Sequence, residues 1–204
     1  MSPHPAVPAL EEEDRARADL YALLARIYYQ GPDGGVLALV ARSATGIAPE
    51  TVGPLVVAWR ALATAAASAA PAAAQQEYDD LFVGTGRAEV SPYATHYLSV
   101  SGREKLLVEL RDELAAMGLS RKETSREPED HFAGLFDVMR HLVERGATDA
   151  ALRDQRRFFG RYIAPSYAGF CAAIDASPRA GLFAPVAAFT RAYLDLEEES
   201  LQLI

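Results

Sequence analysis

The chain has 204 residues, half of them hydrophobic, a formal net charge of −8 and one cysteine, Cys171. That size supports a sizeable core in a single domain over residues 1–204. The acidic balance opposes binding to nucleic acid or anionic membranes, and a lone cysteine excludes an internal disulfide framework or a cysteine-based zinc site.

No run approaches about eighteen consecutive apolar residues, and the chain starts proline-rich and then acidic, where a signal peptide would be basic and then apolar. A cytoplasmic protein without stable membrane association is therefore expected. Residues 1–9, with Pro3, Pro5 and Pro8, read as a loose leader. Behind Glu11 to Asp14, the positions Ala16, Leu20, Leu23, Leu24, Ile27 and Tyr28 recur at three- and four-residue steps and predict a first helix. Gly31, Pro32 and Asp33 end it, and Asp33 caps a short second helix through Val36, Leu37 and Val40. Gly46 and Pro49 punctuate before a third helix whose stripe is Val52, Leu55, Val56, Trp59, Leu62 and Ala66. The alanine-rich run 63–74 is broken by Pro71, which predicts a helix end and a restart into residues 75–82, because proline fits only a first turn.

Residues 84–102 lack helical period but carry aromatics, which predicts a long structured loop packed on the bundle. Leu106, Leu107, Leu110, Leu114 and Met117 give the next helix, closed by Gly118 at C′. After a polar link over residues 120–127, Pro128 is placed at N1 of a helix with Phe132, Leu135, Phe136, Met139, Leu142 and Val143 inward and Asp130, Gly134, Asp137 and His141 opposite, ending near Gly146. Further helices are read from Leu152, Phe158, Phe159 and Tyr162, from Tyr167, Phe170 and Ile174, and from Leu182, Val186, Phe189, Tyr193 and Leu196. Cys171 reads as a small buried hydrophobe. No strand pattern appears, so the expected fold is all-α, a single-domain bundle of about eight to ten helices.

The segment from Glu77 to His131 is the expected working surface. Taken singly, Tyr78, Phe82, Tyr93 and Tyr97 are core or loop anchors; together they are aromatic area with hydroxyls, the kind used at recognition surfaces, with Pro92 fixing the backbone that presents Tyr93. Glu129 and Asp130 suit a helix start whatever their function. His131 lies in line with Leu135, Val138 and Leu142 and faces the interior or a groove, so a structural and a ligand-contacting role both stand. Catalytic signals are poor: Asp137 and His141 lack the matching carboxylates of a di-iron bundle, and Gly84-Thr85-Gly86 lacks the ending of a phosphate loop. There is no nucleophile elbow.

Three runs, Glu77-Tyr78-Asp79-Asp80-Leu81-Phe82-Val83-Gly84, Pro92-Tyr93-Ala94-Thr95-His96-Tyr97 and Glu127-Pro128-Glu129-Asp130-His131, resemble in order and spacing the signature of the TorD/DmsD/NarJ-type redox-enzyme maturation chaperones. The resemblance implies an all-α single domain without enzymatic activity. It further implies binding, in the cytoplasm, of the twin-arginine leader and body of the apo form of a molybdopterin oxidoreductase catalytic subunit, which assists cofactor insertion and delays export. It implies no tightly bound cofactor, and leaves open transient contact with the molybdenum cofactor or a nucleotide and a monomer or domain-swapped dimer. By the same resemblance Leu81, Pro92, Tyr93, Tyr97, Asp130 and His131 contact the leader. Separately, a helix start bearing two acids and a histidine beside a polar link suits a groove wall, so Asp130 and His131 are expected to face a groove shared with Pro92, Tyr93 and Tyr97. Other members often carry Trp at the place of Tyr93 and Ser at that of Thr95. Apolar contact then supplies most of the affinity, and carboxylates such as Glu127 and Asp130 select the cationic leader. Two rival classes are a helical ligand-sensing regulator, which needs a basic helix-turn-helix that the acidic first helix does not provide, and a cofactor-using helical enzyme.

Overall fold

Helix α1 (Glu12–Gln30) opens on Glu12, Glu13 and Asp14 at the positive end of its dipole and buries Tyr21, Leu24, Ile27 and Tyr28 along one stripe. It packs most extensively on α6 (Phe132–Glu144), whose Phe132, Phe136, Met139, Leu142 and Val143 are fully buried. The computed structural model describes residues 10–84, 88–98, 103–119 and 127–203. The loose leader over residues 1–9 and most of the polar link lie outside those residues, as do parts of the long loop.

Between these two helices in sequence come α2 (Gly34–Ser43), α3 (Pro54–Ser68), α4 (Pro71–Tyr78) and α5 (Arg103–Ala116); α7 (Asp149–Phe158), α8 (Tyr167–Asp175) and α9 (Phe183–Gln202) follow. Helix α3 packs on α2 and α9, and α8 packs on α9. The Phe170 ring of α8 stacks on Phe132 at a centroid distance of 4.2 Å, and Trp59 of α3 lies 4.8 Å from Phe189 of α9. The fold is therefore the all-α, single-domain bundle expected, and among the described residues there is no strand. One isolated antiparallel bridge joins Tyr93 and His131. No single described helix is long and apolar enough to cross a membrane.

Local rules explain most helix ends. Asp33 accepts a hydrogen bond from the Val36 amide at 2.9 Å, and Gly118 adopts φ +73° while the Leu119 amide reaches back to Leu114 O at 2.8 Å, as a C′ glycine does. Both α4 and α7 run on into single π-helical turns, Asp79–Val83 and Phe159–Ile163, closed by Gly84 N to Asp79 O at 2.8 Å and Ala164 N to Phe159 O at 3.0 Å.

Other ends are held from far away in the sequence. Glu77 of α4 accepts from the amides of Leu182 at 3.0 Å and Phe183 at 2.7 Å, so it caps the N-terminus of α9, whose own cap residue offers no side-chain bond. Tyr78 donates to the Tyr29 carbonyl at 2.7 Å near the C-terminus of α1. Gly31 there has φ +78°, and a Cβ would lie 3.1 Å from the Tyr78 side chain, so glycine meets both the backbone and the space requirement.

A buried polar network joins α1, α7 and α9. Arg17 makes two bonds to Glu197, at 2.8 and 2.9 Å, with further bonds to Asp14 at 2.8 Å and Gln155 at 3.0 Å; Tyr21 donates to Glu197 at 3.0 Å. Burial disfavours the Arg17 charge, yet the bonds to Glu197 and Asp14 outweigh it and hold the guanidinium above its ordinary pKa.

Three expectations are corrected. Val52 is exposed and precedes α3, because Gly53 at φ +146° turns the chain and Pro54 takes the first helical position. Leu196 is half-exposed while Glu197 takes the inward place, since Arg17 supplies its partner. Pro128 is not N1 of α6: the helix starts four residues later, with His131 as its N-cap.

Candidate functional site

The loop after α4 returns to the bundle through backbone bonds. Val90 N donates to Leu81 O at 2.9 Å, Phe132 N to Pro92 O at 2.9 Å and Ala94 N to Asp130 O at 2.9 Å, so Val90 is tied to the turn after α4 and residues 92–94 to the entry to α6. Pro92 has no N–H, but its carbonyl is what this short ladder uses. Ser177 donates to Glu89 at 2.6 Å from the turn between α8 and α9. Residues 88–98 of the long loop are thus tied to several elements, with Val90, Pro92, Ala94 and Thr95 buried.

Beneath the ladder, Asp130 Oδ2 accepts from Thr95 Oγ1 at 2.6 Å and from Thr95 N at 3.2 Å. Asp130 is only 3% exposed, so its carboxylate faces inward and fixes the 3-10 turn Ala94–Tyr97; it is not on the solvent face of α6 as expected. Leu81 is fully buried, and Phe82 packs in the same cluster. Tyr97 is half-buried: its hydroxyl donates to Ser91 O at 2.7 Å and its ring lies 6.0 Å from Phe170 and 6.3 Å from Phe132. A Cβ at Gly169 would sit 3.1 Å from the Tyr97 ring, so α8 approaches through a glycine. Burial raises the Tyr97 pKa, which keeps the hydroxyl protonated as a donor.

His131 caps α6 by accepting from Ala133 N at 3.1 Å with Nδ1, which puts the ring proton on Nε2. Burial lowers its pKa, against the opposing charges of Glu127 and Asp130, so the ring is neutral near pH 7. The Tyr93 ring meets it edge-on at 5.5 Å, and the Tyr93 hydroxyl donates to Glu127 Oε2 at 2.5 Å. Burial, then the bond to Glu127, raises the Tyr93 pKa. Tyr29, 49% exposed, also lies edge-on to His131, at 6.3 Å. Tyr78, whose hydroxyl donates to Tyr29 O, is pushed up to about 12 by burial with Glu127 and Asp79 adding to it.

The predicted residues therefore divide. Pro92, Tyr93, Glu127, Asp130 and His131 meet at one place; Tyr97 anchors the next turn of the same loop, and Leu81 lies in the core that carries it. What reaches solvent is Tyr29, with Tyr93 and Glu127 partly exposed beside it, over a neutral His131 that is itself buried. Such a surface can cover apolar side chains and accept from a cationic one. Tyr29 was not singled out in the sequence: in the Tyr28-Tyr29 doublet at the end of α1, Tyr28 is buried and Tyr29 falls outward. Among the described residues, no group of three or more His, Cys, Asp or Glu side chains could hold a metal ion.

Residues 51–172, which include every one of these loop and α6 positions, match the family described as "Nitrate reductase delta subunit". The chain belongs to this family. Membership in the nitrate reductase delta subunit family, which includes TorD/NarJ-type proteins, agrees with the resemblance carried by the three motifs. Among curated relatives, the "Chaperone protein TorD" of Vibrio cholerae serotype O1, in each of three strains, is 28% identical over 138 residues, or 61% of this chain. The chain spans 60% of the length of these curated relatives.

Proposed function

We propose that this chain is a cytoplasmic maturation chaperone for the catalytic subunit of a molybdopterin oxidoreductase. In this reading it is not an enzyme and holds no cofactor of its own. It binds the subunit's twin-arginine leader and its body in the apo form, assists cofactor insertion and delays export. Family membership supports the class; the observation that carries the leader reading is the surface of exposed Tyr29 and partly exposed Tyr93 and Glu127, held around the buried His131 at the end of α1 and the entry to α6.

The roles follow from position. Tyr93 and Tyr29 cover the apolar segment of the leader. Burying about 400 Å² of that segment gives roughly 10 kcal/mol gross at 25 cal/mol/Å², against roughly 4 to 15 kcal/mol for association and ordering. Glu127 accepts from a leader arginine, exchanging or sharing its bond to Tyr93, and a charge-assisted bond of this kind contributes about 1.5–3 kcal/mol. Asp130, Pro92, Tyr97 and Leu81 act from underneath as positioning residues, since the first and last are buried and the other two hold the loop.

Co-expression with a molybdopterin oxidoreductase catalytic subunit, with and without its leader, tests the reading. Co-purification of the full apo subunit, weakened when the leader is removed, is expected. Failure to retain the subunit in either form would refute the chaperone assignment, and equal retention of both would refute the leader role alone.

A further inference from the structure

A second surface has the opposite charge from the one around His131. An open groove of about 780 Å³ is lined by Leu106, Gly160 and Pro165 and by Arg153, Arg156, Arg157 and Arg161. The four arginines fall at i, i+3, i+4 and i+8 and so share one side of α7 and its π-helical turn, opposite the buried Ala151, Gln155 and Phe158. At 1.5 Å per residue the stripe is about 12 Å long.

One flank of it is already occupied by this chain. Helix α5 lays Glu113 against Arg157 at 2.9 Å and Glu109 against Arg161, while its Leu110 and Leu114 go into the core. Glu113 also accepts from Tyr162 at 2.7 Å. An acidic amphipathic helix is thus the shape the stripe accommodates in the fold itself. On the other flank, Arg153 and Arg156 are exposed and have no hydrogen-bond or ion-pair partner among the described residues.

We propose that this open flank docks an acidic amphipathic helix of a partner protein, its carboxylates on Arg153 and Arg156 and its apolar side on Leu106 and Pro165. A linear row of cations suits carboxylates at helical spacing. A small phosphate anion calls instead for donors converging on one point. The chain's net charge of −8 disfavours acidic ligands in general, so binding of one depends on this local reversal of sign. The inference is independent of the leader reading, because the two surfaces use different residues and opposite charge.

The test uses the full chain and a synthetic helical peptide of about 14 residues, two heptads of Glu and Leu, beside a twin with Gln for Glu and inorganic triphosphate. Fluorescence anisotropy should give micromolar binding of the Glu peptide, weakening with salt, and little binding of the Gln twin. Arg153→Glu/Arg156→Glu should reduce affinity roughly tenfold or more, and Arg153→Gln/Arg156→Gln by less. Both side chains are exposed and without a partner among the described residues, so unchanged melting temperatures are expected and separate docking from folding. Equal affinity for the two peptides, no loss in either double variant, or binding of triphosphate alone would overturn the proposal.

Discussion

Asp130→Ala removes the one carboxylate oxygen, Oδ2, whose two bonds to Thr95 hold the 3-10 turn of the long loop. Thr95 is 9% exposed and Asp130 3%, so the Thr95 amide and hydroxyl would be left buried without a partner. Each unsatisfied buried group costs about 1–3 kcal/mol, and hydroxyl rotation relieves part of that, so the loss should be about 3 kcal/mol. For a domain of this size that lowers the melting temperature by about 6–12 °C, at roughly 2–4 °C per kcal/mol. Asp130→Asn can put its amide oxygen in the place of Oδ2 but without the charge, and should lose about 1–2 kcal/mol. Thermal melts followed at 222 nm, in a cycle with Thr95→Val, measure the pair: a coupling of about 1–2 kcal/mol is expected. Because the carboxylate faces inward, any loss of leader binding in Asp130→Asn should follow the loss of stability and be independent of salt. Additive single effects, or a melting temperature within about 2 °C of wild type in Asp130→Ala, would refute the clamp.

Glu77→Ala should destabilise by about 0.5–2 kcal/mol, the range for a lost N-cap, with amide exchange accelerated first at Leu182 and Phe183. Gly31→Ala places a side chain at φ +78° and 3.1 Å from Tyr78, and a loss of about 1–3 kcal/mol in urea melts is expected. The folded His131 pKa lies below its ordinary 6.5, so the unfolded chain takes up the proton first. Its contribution is complete above pH 6.5, falls as the pH drops toward the folded pKa, and levels off below that. His131→Asn retains a capping oxygen without titrating, so the melting-temperature difference between wild type and variant should shift in the variant's favour between pH 7.5 and 5.5; a difference constant with pH would mean the ring does not titrate as described.

The local part of this architecture could be read from sequence because its causes are local. The α1 stripe, the Asp33 cap, the restart at Pro71 and the Gly118 terminus each depend on residues within a turn or two of one another. What escaped depends on contacts across the chain. Glu77 looks like any exposed helical acid until α9 arrives above it, and Glu197 looks like part of an acidic surface run until Arg17 meets it from α1. Pro128 fitted the N1 rule, but the backbone bond from Phe132 to Pro92 delays the start of α6 and gives the cap to His131. At the candidate site the residues that meet could be picked out by their motifs, whereas their division into inward and outward could not. Asp130 and Glu127 are both acids beside the same histidine, and only the position of Thr95 turns one of them inward.

Calorimetric titration of a twin-arginine leader peptide from the co-purifying oxidoreductase, into wild type and Tyr93→Ala at low and physiological salt, tests the central claim most directly. Losing the Tyr93 ring should weaken binding by about 1–3 kcal/mol at both salt concentrations, because apolar burial is barely screened. A parallel Glu127→Gln titration should instead narrow the preference for paired arginines over lysines, chiefly at low salt. Unchanged affinity in Tyr93→Ala, with the fold intact by its melting temperature, would contradict the account.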